Sequence, residues 1–267
     1  ALADPGFKLI VADAAQLEPR VLAALAQDTA MAAAGRDKDL YAGIAAQGFG
    51  GDRAMAKVAL LGAIYGATSG ESGRLMPQLT RMYPRAVGYV EDAARAGERG
   101  ERVSTRLGRS TPPVGDDWRA SQRSSNSDEQ RRAESIARSR GRFTRNFVVQ
   151  GTAAEWACCW LAELRRRLRA LPSSPTVPSG PGPAEAETAA TTTGGPTTGG
   201  PTTGSQRPEL VFFLHDEVMV HCPEHLVDQV VEIVNDSAKA ATRLIFGTIP
   251  LEFPVNVMVV DKYSDAK

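Results

Sequence analysis

Two aspartates, distant in the chain, each follow an apolar run: Asp13 comes after KLIVA and Asp216 after LVFFLH. A carboxylate at the end of a buried strand costs on the order of several kcal/mol unless it is paired or meets a cation. Strands of one sheet can bring the two together, and a pair of hard oxygen donors invites magnesium, which keeps several waters and is shared with substrate phosphates. Two such ions about 4 Å apart clamp the attacking and leaving oxygens of an in-line phosphoryl transfer. The bland alternative is that either Asp only caps a turn.

A second pattern lies between them. Residues four apart on a helix advance by about 400°, so Arg53, Lys57, Leu61 and Tyr65 form one drifting stripe. The stripe starts cationic and ends apolar and aromatic. A nucleoside triphosphate matches that gradient, its phosphates meeting Arg53 and Lys57 and its sugar and base meeting Leu61 and Tyr65. An amphipathic helix with solvated basic residues has the same spacing.

The elements that position these residues follow from local pattern. FKLIVA reads as a buried strand, and Pro19 fits the first turn of the helix after it. Asp37 or Asp39 can cap a helix through LYAGIAAQ, and Gly48 to Gly51 separate it from RAMAKVALLGAIYG. LMPQLTRMYPRAVGYVEDAARAG continues the helical middle third, and a polar stretch rich in Arg, Ser, Gly and Pro runs to about residue 127. From Glu129 two helices are expected, with a break near Gly141. Residues 171–208 collapse into Pro, Gly, Thr, Ser and Ala with GGPTT in tandem, and read as a disordered insert. LVFFLHDEVMVHCP then reads as a hairpin with His215, Asp216 and Glu217 at its junction, followed by a helix and a last strand near FPVNVMVV. The expected fold class is α+β, antiparallel strands with helices packed on them.

The 267 residues are 42% hydrophobic, enough for a core. Three cysteines, two of them adjacent, give no disulfide or zinc framework. No apolar run approaches the length of a membrane span, and the N-terminal stretch lacks a basic signal region, so a soluble, cytoplasmic protein is expected. The formal net charge of zero argues against nucleic acid on the sum. Its distribution does not, because arginines outnumber acids from Arg95 to Arg145, as expected of a basic strip facing DNA or of a solvated arginine-rich surface.

Asp13-Ala14-Ala15-Gln16-Leu17-Glu18-Pro19-Arg20 resembles motif A of family A DNA polymerases, the DNA polymerase I-like enzymes, commonly DYSQIELR. His215-Asp216-Glu217 resembles their motif C. Arg53 to Gly66 resembles motif B, RxxxKxxxFGxxYG, and Arg142, Asn146 and Gln150-Gly151-Thr152-Ala153-Ala154 resemble the R-x3-N-x3-QGTAAD element. All stand in the family's order. The resemblance implies the C-terminal palm and fingers of a right-hand polymerase, with an antiparallel palm sheet, a motif C hairpin and mostly helical fingers. Its flavour is that of actinobacterial bifunctional 3′–5′ exonuclease/DNA polymerases. Palm would be residues 1–23, 129–170 and 209–267, and fingers 24–128, with the insert at 171–208.

The implied reaction is template-directed transfer from a dNTP to a primer 3′-hydroxyl, with two magnesium ions for which manganese can substitute. Asp13, Asp216 and the Ala14 carbonyl would hold the metals, and Asp13, Asp216 and Lys57 would be catalytic. Ala14, Gln16, Glu18, Tyr41, Arg53, Lys57, Leu61 and Tyr65 would meet the dNTP, Glu18 crowding the sugar 2′ position. Arg20, Arg142, Asn146, Gln150, His215 and Glu217 would meet primer-template DNA, with Glu217 alternatively supporting the metals. The implied location is the cytoplasm, at the nucleoid.

Leu61 stands where the family has an aromatic ring, Ala14 where it has Tyr, and Pro19 where it has Leu. Motif A also begins almost at residue 1, so a fragment is expected, without a thumb or exonuclease-like region and weakly active alone. A non-catalytic DNA-binding remnant and a metal-dependent nuclease built on His215, Asp216 and Glu217 are the rivals. The nuclease leaves the helical stripe unexplained. A zinc site from His221, Cys222 and His225 is disfavoured because neighbouring strand residues point to opposite faces.

Overall fold

The computed structural model describes residues 1–36, 39–67, 69–123, 126–171 and 207–266. Nearly all of the low-complexity insert expected at 171–208, and Asp37, lie outside them.

Phe7–Ala14 forms strand β1. Glu209–Leu214 and Glu217–Pro223 form strands β2 and β3, joined by a tight turn at His215 and Asp216, and Val255–Val260 forms β4. The sheet order is β2-β3-β1-β4, every pair antiparallel. The hairpin read from LVFFLHDEVMVHCP is therefore present, with β1 beside it.

Side chains along β1 alternate as the pleat requires. Ile10, Ala12 and Ala14 enter the main core, whereas Leu9 and Val11 join Met219 in a small second cluster. Asp13 continues the second series, away from the main core. Glu217 is its direct cross-strand partner and so shares its face.

Helices cover the main-core side. α1 (Leu17–Leu25), α2 (Thr29–Ala34), α3 (Leu40–Gly48) and α4 (Arg53–Tyr65) follow β1. Asp28, Asp39 and Asp52 cap the last three by accepting from their first-turn N–H groups. α4 ends at Gly66, whose φ of 74° is the left-handed stop that glycine tolerates.

The middle stretch expected as one helical run is two helices, α5 (Gly70–Met82) and α6 (Pro84–Glu98). The break falls at Tyr83, because the residue before a proline is pushed out of helical conformation. The short α7 (Asp116–Ser121) lies in the polar stretch, and α9 (Val227–Phe246) packs beneath β1, β3 and β4.

The break expected near Gly141 is absent: Ser127–Ala170 is one helix, α8, of 44 residues. Gly141 serves close packing instead. A Cβ there would lie 2.8 Å from Glu98 Cγ and 3.0 Å from the Ala94 carbonyl oxygen on α6. On the opposing face a Cβ at Gly97 would lie 2.1 Å from Thr144 Oγ1 and 2.9 Å from the Arg140 carbonyl oxygen. Thr144 Oγ1 donates to the Ala93 carbonyl at 2.7 Å, locking the contact.

Gly97→Ala separates helix propensity from packing. Alanine is the better helix former by about 0.5–1 kcal/mol, but here it collides with main chain that cannot rotate aside. A net loss of about 1–3 kcal/mol in urea unfolding is expected.

Candidate active site

The strand ends meet. The Ala14 N–H donates to the Asp216 carbonyl at 3.0 Å, so residue 13 and the β2–β3 turn are neighbours. Both turns beside this bond adopt left-handed backbone, with φ of 55° at Gln16 and 56° at His215. Such conformations are costly for residues other than glycine and persist only where the surroundings enforce them. His215 is exposed, and Asp13 and Asp216 are half-buried.

The Gln16 side chain is held at both ends. Its Nε2 donates to Asp39 Oδ1 at 2.7 Å, and its Oε1 accepts from the Leu40 N–H at 2.7 Å. Asp39 also accepts from Arg53 Nε at 2.7 Å, and the Arg53 guanidinium sits 5.5 Å above the centre of the Tyr41 ring. Burial raises the Asp39 pKa, yet hydrogen bonds from Arg53, the Ala42 N–H and Gln16 outweigh it and leave the carboxyl below its ordinary range. One carboxylate thus joins the turn after β1 to the start of α4.

Along α4, Arg53, Lys57 and Tyr65 are exposed and Leu61 half-buried, so the expected stripe is open. Lys57 has no partner among the described residues. Tyr65 donates to Glu18 Oε2 at 2.5 Å. Burial, then this bond, pushes the Tyr65 hydroxyl up to about 12; burial, then the Glu18 charge, does the same for Tyr41.

α8 supplies the opposite wall. Asn146 Nδ2 donates to Gln150 Oε1 at 2.7 Å, one turn apart. Arg142 is exposed and its stem packs on Gly66. An open cleft of about 680 Å³ gathers Gln16, Glu18, Tyr41, Leu61, Asn146, Gln150, His215 and Asp216. Asp13, Ala14, Arg20, Arg53, Lys57, Tyr65, Arg142 and Glu217 are not among its lining residues. The cleft adds Arg109, Phe143 and Phe147, which the sequence reading passed over.

The profile of DNA polymerase family A matches residues 2–263. The chain belongs to DNA polymerase family A. Among solved structures it is similar to the POL domain of Pol1 from M. smegmatis, solved in complex with DNA primer-template and dNTP. The TM-score is 0.69 at 19% identity, covering 99% of this chain and 41% of that one, so the chain spans under half of its neighbour's length. No curated protein matches the chain. The fold is accordingly the α+β polymerase palm with helical fingers. No helix among the described residues is long and apolar enough to cross a membrane.

Within this family A fold, Arg20 is not the DNA contact expected of it. It is fully buried and donates to the main-chain carbonyls of Ala15, Gly35 and Glu252. Burial draws its pKa down, with Asp39 and Glu252 opposing. Its physical role is to pin motif A to the loops around it. Some arginines between residues 95 and 145 also tie down main chain, although most of that stretch's arginines are exposed. Arg102, Arg106, Arg109 and Arg140 donate to main-chain carbonyls, and Arg145 pairs with Glu91 and caps the Ala63 carbonyl of α4. Glu217 is buried, accepts from the Tyr263 hydroxyl and, like Asp13 across from it, does not line the cleft.

Among the described residues no three His, Cys, Asp or Glu side chains form a metal-holding group. The donors near the turn are two carboxylates, Asp13 and Asp216, on adjoining backbone. That set fits an ion such as magnesium, which takes one or two carboxylates and completes its shell with water and phosphate. It does not fit a closed structural zinc site.

Two outcomes are expected. Arg20→Met, which leaves three carbonyls unmatched, should cost about 2–4 kcal/mol in urea unfolding, with DNA affinity unchanged while the protein is folded. Asp39→Asn should lower thermal stability near neutral pH. Because the folded Asp39 pKa is depressed, its contribution is present above the unfolded value of 3.8 and fades as pH falls through the folded one. The gap in melting temperature between the two proteins should therefore close in acid.

Proposed function

We propose that this chain carries the nucleotidyl-transfer site of a DNA-directed DNA polymerase, joining a dNTP to a primer 3′-hydroxyl with release of pyrophosphate. The observation that supports the reading is the Ala14–Asp216 main-chain hydrogen bond, which makes the end of β1 and the motif C turn neighbours. Asp13, Asp216 and the Ala14 carbonyl would hold two magnesium ions, with manganese as a substitute. When bound, such ions polarise the reacting phosphate and stabilise the attacking and leaving oxygens.

The chain's own residues bind and orient. Lys57, exposed and without a partner among the described residues, can meet triphosphate oxygens, and Arg53 is held beside it by Asp39 and Tyr41. Glu18, fixed by Tyr65, lines the cleft where it can crowd a sugar 2′ position. Leu61 offers the sugar an apolar contact without a ring. Gln16 and Tyr41 complete the dNTP side.

Arg142, Asn146, Gln150 and His215 face the primer-template, where amide groups can test the minor-groove acceptors common to all pairs. Glu217, across from Asp13, supports the turn from below. Residues 1–23, 129–170 and 209–267 would form the palm and 24–128 the fingers, working on DNA in the cytoplasm. Because the chain spans 41% of its polymerase neighbour, we expect weak, distributive synthesis by it alone.

Single-nucleotide addition to a primer-template with Mg²⁺ is the appropriate assay. Asp216→Ala should abolish addition, by at least ~100-fold, since even groups one shell removed from a metal cost 10–100-fold, while primer-template affinity stays within about twofold of wild type. Wild-type binding with no addition at any metal concentration would leave the non-catalytic remnant. Strand cleavage that depends on Asp216, without addition, would favour the nuclease.

A further inference from the structure

Phe143 stands on the cleft-facing side of α8 with 45% of its surface exposed. Apolar residues also lie bare on the edge strands, at Val211 and Phe213 on β2 and Met258 and Val259 on β4, but nothing there indicates an occupant. The setting of Phe143 differs. One turn along α8, Phe147 packs against it with ring centres 5.8 Å apart and planes inclined by 47°. The guanidinium of Arg109 lies 6.0 Å over the Phe147 ring and is tied to the Gly151 carbonyl by a 3.0 Å bond. Asn146 and Gln150 continue the same face. Asn146 Oδ1 is buried with no hydrogen-bond partner among the described residues, an acceptor that an exocyclic amine could fill after a small rotation.

The combination suits one kind of ligand. A nucleobase has a π-face, an edge of donors and acceptors, and a phosphate on either side. The wall has an open ring face, amide groups beside it and a fixed cation behind it. Base–aromatic stacking of this kind tolerates any sequence, because every base has a π-face. A base inside a duplex is already stacked on both sides and offers a protein only its groove edge. An exposed ring face gains most from a base that has no partner.

We propose that Phe143 and Phe147, backed by Arg109, form a stacking platform for an unpaired nucleobase of the DNA strand lying along α8. The proposal rests on the DNA-binding reading above. It adds a subsite that holds a frayed or single-stranded base within the same cleft as His215 and Asp216.

The test measures affinity for a single-stranded oligonucleotide, for a blunt duplex, and for a primer-template whose single-stranded template base is 2-aminopurine, a fluorophore quenched on stacking. Wild type, Phe143→Ala, Phe143→Leu and Phe143→Trp are compared, with melting curves confirming that each is folded. Phe143→Ala should weaken single-strand affinity about tenfold and relieve the quenching, with duplex affinity unchanged. Phe143→Trp should restore both and Phe143→Leu neither. Should Phe143→Ala fail to fold, the Leu–Trp comparison decides, since both keep an apolar side chain.

Leucine matching wild type, or duplex affinity falling in parallel, would overturn stacking in favour of plain apolar contact with the sugar groove. Failure of the wild-type chain to bind any DNA would instead sink the polymerase reading, which separates the two failures.

Discussion

Register between β1 and β3 is the constraint on which the site depends. Strand side chains alternate with a period of two, so a slip of one residue would exchange the faces of Ala12 and Asp13. Ala12 and Ala14 are almost fully buried against the helices. A carboxylate in either place, facing an apolar core with no cation, would cost several kcal/mol, on the order of the marginal stability of a whole domain. The same apolar residues that build the core therefore hold Asp13 on the open face. The hydrogen bond from Ala14 to Asp216 then fixes how far the motif C turn stands from it.

What the sheet does for the aspartates, Asp39 does for the fingers. It caps the start of α3, orients Gln16 after β1, and holds Arg53 at the start of α4. A cap normally serves only its own helix. Here one carboxylate couples two motifs that the sequence separates, so a shift of α4 cannot leave the motif A turn untouched. A triphosphate drawing Arg53 toward itself would loosen a bond on which Gln16 also depends, a physical route from substrate to the turn beside the aspartates.

Much of this was legible because it is local. Strand-end aspartates, an Asp before a helical run and a stripe with a four-residue period need only near neighbours to be recognised. The failures came from packing between distant segments. Gly141 reads as a helix break, and nothing nearby in sequence says that α6 passes close enough to require it. Arg20 looks like an exposed helix residue until Gly35 and Glu252 bring their carbonyls to it. The Tyr83 break was readable, since a residue before proline resists helix, but the apolar period running through it hid the signal. Phe143 and Phe147 were visible one position along from Arg142 and Asn146, and only their exposure in the cleft makes them notable.

The charge pattern brings these threads together. With a formal net charge of zero, the chain has no global field to draw in DNA. Some of the arginines that suggested a basic strip, Arg102, Arg106, Arg109, Arg140 and Arg145, also fasten main-chain carbonyls. Exposed cations also stand on the elements that carry the motifs: Lys57 and Arg53 at the start of α4, and Arg142 on α8. On the proposed reading, amide pairs and aromatic faces would then add to affinity where a more basic protein relies on phosphates. The cleft wall on α8 has that composition, with two phenylalanines between Arg142 and Gln150 and one tethered arginine behind them.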